Sequence, residues 1–132
     1  MNNKTANTPT GKHTLKNTVG LPLIESAGGL VCNRSHHILL IFKRGKWDMP
    51  KGRIEDLQLP EVSALREVEE ETGLEAKKLT ILGKLVSTYH TTSHQKVDYL
   101  KKTHWYLMDY DGDDDATDPQ VEEGIIECRW VH

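Results

Sequence analysis

Short runs of apolar residues, several of them alternating with polar ones, recur along the chain and predict β-strands. The expected strands cover residues 25–33, 37–43, 79–89, 97–110 and 125–131. Residues 34–36 separate the first two runs and predict the turn of a β-hairpin. Residues 44–59 carry glycine and proline at several positions and predict a loop. The pattern is therefore mainly that of a β-sheet.

One segment has the helical period instead, with apolar residues on one arc and acidic residues on another. Pro60 suits the first turn of a helix and Gly73 the position just past its end, so we predict a helix from about Pro60 to Thr72. Its apolar arc consists of Val62, Ala64, Leu65 and Val68. A β-rich chain with one dominant helix predicts an α+β fold.

The acidic arc of this helix carries Glu67, Glu70 and Glu71, whose spacing places the three side chains on one face. At an effective dielectric of ~20 and a separation of ~6 Å, two such charges repel by roughly 3 kcal/mol. An enclosed face with three carboxylates therefore needs a neutralising partner. A divalent cation is the natural candidate.

The first twenty residues are rich in Asn, Thr, Lys and Gly and have scarcely any apolar periodicity. Such a segment cannot bury enough apolar surface to offset its ordering entropy, so residues 1–20 are expected to be a flexible polar arm. Residues 21–132 have the length of one ordinary domain.

The chain has 20 acidic and 17 basic residues and a formal net charge of −3. This balance gives no overall attraction to a nucleic acid polymer or an anionic membrane, so neither is an expected partner. The longest apolar run, residues 38–42, is far too short to span a bilayer, and no apolar leader opens the chain, which predicts a cytoplasmic protein. Cys32 and Cys128 are then expected to be reduced. The oligomeric state is left open.

The stretch 43–53 holds five basic residues within eleven positions, beside a tryptophan. Cations next to a cluster of carboxylates suit a polyphosphate that a metal bridges to the protein. The candidate substrate-binding residues are Arg44, Trp47, Lys51 and Arg53. The alternative is a solvated loop in which Trp47 is a core anchor.

The helix and this loop together match one family motif, which runs Gly, five residues, Glu, seven residues, then Arg-Glu-aliphatic-any-Glu-Glu-any-Gly-aliphatic. At that spacing the chain presents Gly52, Arg66, Glu67, Val68, Glu70, Glu71, Gly73 and Leu74. It resembles the Nudix hydrolases, and residues 27–31 and 47–52 are also similar to that family. One position departs from the motif, because Gln58 stands where the family has its first Glu.

The resemblance implies a mixed β-sheet sandwich with the motif helix packed against it, and hydrolysis of a nucleoside diphosphate linked to another moiety with Mg²⁺ or Mn²⁺. Glu67, Glu70 and Glu71 would then hold metal, with the Gly52 carbonyl as a further ligand. Either Glu67 or Glu70, or a glutamate outside the motif, would accept a proton from the attacking water. Arg66 would orient the glutamates by a charged hydrogen bond. Several relatives carry an extra ligand or base in the loop before the last strand, where we select Glu123 over the neighbouring Glu122.

The effect of Gln58 is open at the sequence level, since an amide keeps the length of a glutamate and loses its charge. Either the metal affinity is lowered, or Glu55 or Asp56 compensates.

The substrate is a phosphorylated small molecule by the same resemblance. The basic and aromatic stretch 89–105 is similar to the branch that cleaves dinucleoside polyphosphates or diphosphoinositol polyphosphates. A pyrophosphohydrolase that removes oxidised nucleoside triphosphates is the enzymatic alternative. A Nudix-like module that binds a phosphorylated metabolite without cleaving it is the alternative from another class.

Overall fold

The computed structural model describes residues 20–132, so nearly all of the predicted polar arm lies outside the described residues. The strands are β1 (Leu23–Cys32), β2 (Ile38–Lys43), β3 (Lys46–Asp48), β4 (Lys51–Arg53), β5 (Leu79–Lys84), β6 (Thr88–His94), β7 (Val97–Tyr110) and β8 (Ile125–Val131). The helix α1 spans Pro60–Thr72, and short 3₁₀ turns cover Ala76–Lys78, Asp114–Ala116 and Val121–Glu123. The α+β fold class predicted from the sequence is confirmed.

Two details of the predicted elements were wrong. The expected loop 44–59 contains β3 and β4, which are only three residues long and so carry no readable alternation. The first of them is paired to β2 by a two-residue turn at Arg44 and Gly45, whose φ angles of 49° and 79° suit a tight hairpin. The expected strand 79–89 ends early at Lys84, and a new strand starts at Thr88.

The chain forms two compact units, of which the smaller contains residues 20–24 and Tyr89–Lys102 among those described. Its main feature is a hairpin between β6 and the first part of β7. The turn consists of Gln95 and Lys96, both with positive φ (52° and 67°). Within this unit the Leu100 amide donates to the Pro22 carbonyl (2.9 Å), and the Lys102 ammonium lies 5.7 Å from the Tyr89 ring centre.

The larger unit contains Glu25–Thr88 and Thr103–His132, and its sheet follows the order β3-β2-β1-β7-β5. Strand β4 pairs with β1, and β8 pairs with β2 along its length, both antiparallel. Cys32 and Cys128, on β1 and β8, are free thiols, as expected.

The core of the larger unit lies between α1 and the sheet. It is formed by Ala27, Val31, Leu39, Ala64, Val68, Leu74, Leu79, Tyr106, Met108 and Tyr110. Gly29 allows the side chains of Met108 and Val68 to pack closely against the main chain of β1. A Cβ at this position would lie 2.7 Å from the Met108 sulfur and 3.2 Å from Val68. Of the predicted apolar arc, Val62 was assigned wrongly, since it is 45% exposed. It lies in the first turns of the helix, beyond the edge of the core.

At thirteen residues, α1 is the longest helix in the described part of the chain. No helix of residues 20–132 has the length and apolar content needed to cross a membrane.

Candidate metal and catalytic site

Helix α1 presents its three motif glutamates at different depths. Glu67 and Glu71 are buried, with relative exposures of 9% and 5%, whereas the Glu70 side chain is 44% exposed. The helix ends in a left-handed Gly73 (φ 82°), whose amide donates to the Glu69 carbonyl at 2.8 Å. Both ends of the helix are therefore as the Pro60 and Gly73 signals predict, and the register of the glutamates follows from them.

Arg66 ties two of the glutamates together. Its Nη1 donates to Glu67 Oε2 at 2.7 Å and to Glu70 Oε2 at 3.1 Å. Its Nη2 donates to the Arg53 carbonyl at 3.1 Å, and its Nε donates to Gln58 Oε1 at 3.0 Å. The guanidinium is thus aimed at the carboxylates, which is the geometry expected of a residue that orients them.

Glu71 is held from a different side. Its Oε1 accepts a hydrogen bond from the Lys51 amide at 2.9 Å, and its Oε2 lies 3.5 Å from Lys43 Nζ. The first contact joins α1 to β4, and the second joins it to the end of β2. Glu71 is therefore positioned by two strands of the sheet.

Burial dominates the protonation of the two enclosed glutamates. Desolvation raises the pKa of Glu67, although its hydrogen bond and charge interaction with Arg66 oppose this. Desolvation also raises the pKa of Glu71, against the Lys51 amide and the Lys43 charge. For Arg66, desolvation lowers the pKa, but the hydrogen bonds to Glu70 and Glu67 outweigh it and the pKa is raised. The local cations thus compensate only part of the cost of burying two carboxylates.

Gly52 lies directly against the Glu67 carboxylate. A Cβ at this position would overlap the carboxylate oxygens and carbon of Glu67. Gly52 is paired with Ala27 in the β1–β4 ladder, so its backbone is fixed. Only glycine leaves room there for a carboxylate beside the main chain.

Within residues 20–132, no three His, Cys, Asp or Glu side chains lie close enough together to hold a metal ion as they stand. The reason is visible in the contacts, because Glu67 and Glu70 converge on Arg66 while Glu71 turns toward Lys43 and Lys51. The donors nevertheless fit a hard divalent cation, since all are carboxylate oxygens and two are buried without full charge compensation. The Glu67 carboxylate occupies the space that a side chain at position 52 would fill, so it lies directly beside the Gly52 main chain.

The predicted substrate-binding residues are not all near the glutamates. Lys51 lies near them, because its main-chain amide donates to Glu71. Its side-chain Nζ pairs with Asp48 and lies 6.0 Å from the Trp105 ring centre. Arg53 is exposed and contributes its carbonyl to Arg66. Arg44 is in the exposed turn between β2 and β3, and its Cγ would lie 3.9 Å from a Cβ at Gly124.

Trp47 lies on the other face of the sheet. It pairs with Phe42, and the two ring centres are 4.9 Å apart. Because neighbouring residues of a strand point to opposite faces, Phe42 and Trp47 face away from Lys43, which reaches Glu71. The Trp47 ring is covered by the Arg129 guanidinium at 4.7 Å. These contacts make Trp47 a surface anchor of the β3-β2-β8 part of the sheet.

Glu123 is exposed and lies in the 3₁₀ turn before β8. That turn is tied to the C-terminal end of α1, because the Gln120 amide donates to the Glu71 carbonyl at 3.3 Å. The Asp118 amide donates to the Thr72 carbonyl at 2.7 Å. The backbone thus brings the turn beside the helix, and the role of the Glu123 side chain stays a prediction.

Sequence reasoning did not assign a role to Lys43 beyond membership of the basic stretch. A signal was present, since Lys43 follows Leu39 and Ile41 at a spacing of two, and both are buried. This alternation places Lys43 on the inner face. The partner of Gln58, in contrast, had no signal in the sequence.

Comparison with known proteins agrees with the motif. A profile of the NUDIX domain matches residues 22–132. Putative mutator protein MutT4 of Mycobacterium tuberculosis (strain CDC 1551 / Oshkosh) is 34% identical over 117 residues, which cover 80% of this chain and 45% of the relative. An RNA pyrophosphohydrolase of Zymomonas mobilis is 33% identical over 98 residues, covering 67% of this chain and 63% of the relative. The chain thus spans about half of the first relative's length and less than two thirds of the second's.

A solved structure of a C. elegans Ap4A hydrolase, in a binary complex, superimposes with a TM-score of 0.63 at 17% identity. The match covers 82% of this chain and 79% of that one, and at this identity it shows the fold alone. Since the NUDIX profile extends over nearly all of the described residues, the chain belongs to the NUDIX family.

Proposed function

We propose that this chain is a divalent-metal-dependent hydrolase that cleaves a diphosphate linkage in a nucleoside diphosphate linked to another moiety. The observation that carries the proposal is the placement of Glu67 and Glu71, two buried carboxylates of one helix, with the exposed Glu70 between them. Burying two acids without full compensation is unfavourable in the metal-free protein. A bound cation would remove this cost.

Glu67, Glu70 and Glu71 would hold Mg²⁺ or Mn²⁺, with the Gly52 carbonyl as a further ligand. When bound, the metal would neutralise the anionic diphosphate and favour attack by water. Arg66 keeps Glu67 and Glu70 in place through Nη1. One of these two carboxylates, or a glutamate outside the motif, would accept the proton from the attacking water.

Dinucleoside polyphosphates are the substrate class that we favour. The basic stretch 89–105 suits several phosphates, and a structural neighbour is named an Ap4A hydrolase. Nucleoside triphosphates are the second candidate, because another relative, of Proteus vulgaris, is named an 8-oxo-dGTP diphosphatase. A relative named an RNA pyrophosphohydrolase adds the 5′ end of RNA as a substrate to be compared, although the net charge of −3 gives no overall attraction to a nucleic acid polymer.

The test is a substrate panel. The full chain is incubated with dinucleoside polyphosphates, nucleoside triphosphates, nucleotide sugars, diphosphoinositol polyphosphates and 5′-triphosphorylated RNA, each with Mg²⁺ and with Mn²⁺, and the products are identified. We expect metal-dependent release of nucleotides from dinucleoside polyphosphates. Calorimetric binding of a phosphorylated ligand with no product under either metal would overturn the hydrolase proposal and favour a binding module.

A further inference from the structure

Gln58 contacts Arg66 at a different guanidinium nitrogen from the one that bonds to Glu67 and Glu70. Its Oε1 accepts hydrogen bonds from Arg66 Nε at 3.0 Å and from Ser63 Oγ at 2.6 Å. Both donors lie on α1, whereas Gln58 lies in the loop that precedes the helix. One amide oxygen therefore connects the loop to the residue that orients Glu67 and Glu70.

The backbone before Gln58 is held in an unusual conformation. Leu57 has a φ of 66°, in the left-handed region that residues with a Cβ rarely adopt, and its side chain is fully exposed. No packing of the leucine explains this conformation. The turn is closed by the Gln58 amide, which donates to the Glu55 carbonyl at 3.1 Å. Strained backbone of this kind is concentrated at functional sites, and here it delivers the Gln58 side chain to Arg66.

All three nitrogens of the Arg66 guanidinium are engaged. Nε and Nη2 bond to neutral acceptors, the Gln58 amide and the Arg53 carbonyl, and Nη1 bonds to the two carboxylates. Among residues 20–132, neither Glu55 nor Asp56 is a partner of Arg66, so neither acid takes the place of a carboxylate at position 58 in contact with the guanidinium. The positive charge of Arg66 is therefore shared by two carboxylates rather than three.

We propose that Gln58 is a positioning residue that fixes Arg66 with an uncharged acceptor, so that the guanidinium stays committed to Glu67 and Glu70 and the site binds its divalent cation less tightly than it would with a carboxylate at position 58. This inference rests on the proposed metal-dependent function. It assigns Gln58 to the hydrogen-bonding layer behind the glutamates and not to the metal ligands.

A carboxylate at position 58 would raise the affinity of the site for a divalent cation. It would form a charge-assisted bond with Arg66, which is stronger than the bond to an amide. The attraction of Arg66 for Glu67 and Glu70 would fall, and the net negative charge near the metal would rise. Both changes favour a divalent cation.

The first experiment measures Mn²⁺ binding to the metal-free full chain by electron paramagnetic resonance or calorimetry, with no substrate present. We expect Gln58→Glu to lower the Kd for Mn²⁺ about tenfold. Leu59→Glu is the matched control, because it adds the same charge one residue away on an exposed side chain, and its Kd should stay within about twofold of the wild-type value. A Gln58→Glu Kd equal to that of wild type or of Leu59→Glu would overturn the proposal.

The second experiment tests positioning through the kinetic constants at saturating Mn²⁺. Gln58→Leu removes the acceptor for Arg66 Nε while keeping the side-chain size, and kcat should fall about tenfold with KM nearly unchanged. Gln58→Glu keeps an acceptor for Arg66 Nε, so its kcat should exceed that of Gln58→Leu, and circular dichroism checks that both variants are folded. An unchanged kcat in Gln58→Leu would contradict the positioning role.

The two proposals fail in different ways. If the wild-type chain binds no Mn²⁺, the proposed metal-dependent function is wrong. If it binds Mn²⁺ and the Gln58 variants do not differ from it as stated, only the role of Gln58 is wrong.

Discussion

The main-chain amide of Lys51 donates a hydrogen bond of 2.9 Å to the Glu71 carboxylate, across a sequence separation of twenty residues. This bond joins β4 to α1 and holds Glu71 where only 5% of the residue is exposed. A carboxylate that accepts from the backbone at this depth is both well oriented and poorly solvated. Its protonation, its proposed part in metal binding and the packing of β4 are therefore linked.

The linkage predicts a pH-dependent stability difference for Glu71→Gln in the absence of metal. Burial raises the pKa of Glu71 in the folded protein above its ordinary value of 4.5. The contribution of protonated Glu71 to the stability of the fold is thus fully present below its unfolded-state pKa, and it is lost as the pH rises through its folded-state pKa. In EDTA, the variant should match wild type near pH 4 and have the higher Tm at pH 7 to 8. Glu55→Gln, at an exposed position, should show no such divergence. A variant that is less stable than wild type at pH 8 would contradict the prediction.

Turnover should depend on Glu70 and Glu71. We expect Glu70→Gln and Glu71→Gln each to lower kcat by about a hundredfold, which corresponds to about 2.7 kcal/mol of transition-state stabilisation. The fold should be retained, because removing a negative charge relieves repulsion along the helix. Product release is measured with Mg²⁺ and with Mn²⁺, and Glu55→Gln again serves as the control. Unchanged rates in both variants would show that the chemistry lies elsewhere.

Gly52→Ala should disturb the site through sterics alone. The added Cβ would overlap the Glu67 carboxylate, so the side chain or strand β4 must shift. We expect kcat to fall about tenfold or more. Gly83→Ala is the matched control, because a Cβ at Gly83 meets nothing within 4 Å, and it should leave kcat unchanged. Equal kinetics of the two variants would show that the close approach of Gly52 and Glu67 is unimportant.

Trp47→Leu distinguishes surface packing from substrate binding. Since Trp47 lies on the sheet face opposite to Lys43, the variant should keep KM within about threefold of wild type. It should lose stability, because the contacts with Phe42 and Arg129 disappear. In Lys43→Met, by contrast, the cation near Glu71 is removed, and kcat should fall. A large rise in KM for Trp47→Leu with unaltered stability would show that Trp47 binds substrate, as the sequence predicts.

The left-handed conformation of Leu57 can be measured as a stability cost. Leu57→Gly should raise the free energy of unfolding by about 1 kcal/mol, because glycine adopts positive φ without a steric penalty. No burial is lost, as the side chain is fully exposed. Leu57→Ala retains the Cβ and should show no comparable gain. Urea denaturation of the three proteins tests this, and a destabilised Leu57→Gly would refute the interpretation.

Local signals in the sequence determined the elements that are long enough to express a period. The helix Pro60–Thr72 was predicted at both ends because its apolar positions recur with the helical period and because proline and glycine mark its termini. Strands β7 and β8 were predicted with the bounds that the structure has. The motif spacing identified the family for the same reason, since residues three and four apart on a helix share a face whatever surrounds it.

The contacts of those residues, in contrast, depend on how the elements pack. Glu71 meets the Lys51 amide because β4 is placed by pairing with β1, which is distant in the chain. Trp47 faces away from the glutamates because β3 folds back onto β2. Gln58 meets Arg66 because the loop before α1 returns to the side of the helix. Strands of three residues carry too little alternation to be read locally. Hydrogen bonds between segments far apart in the chain depend on how those segments pack, and that information is not contained in any single stretch of sequence.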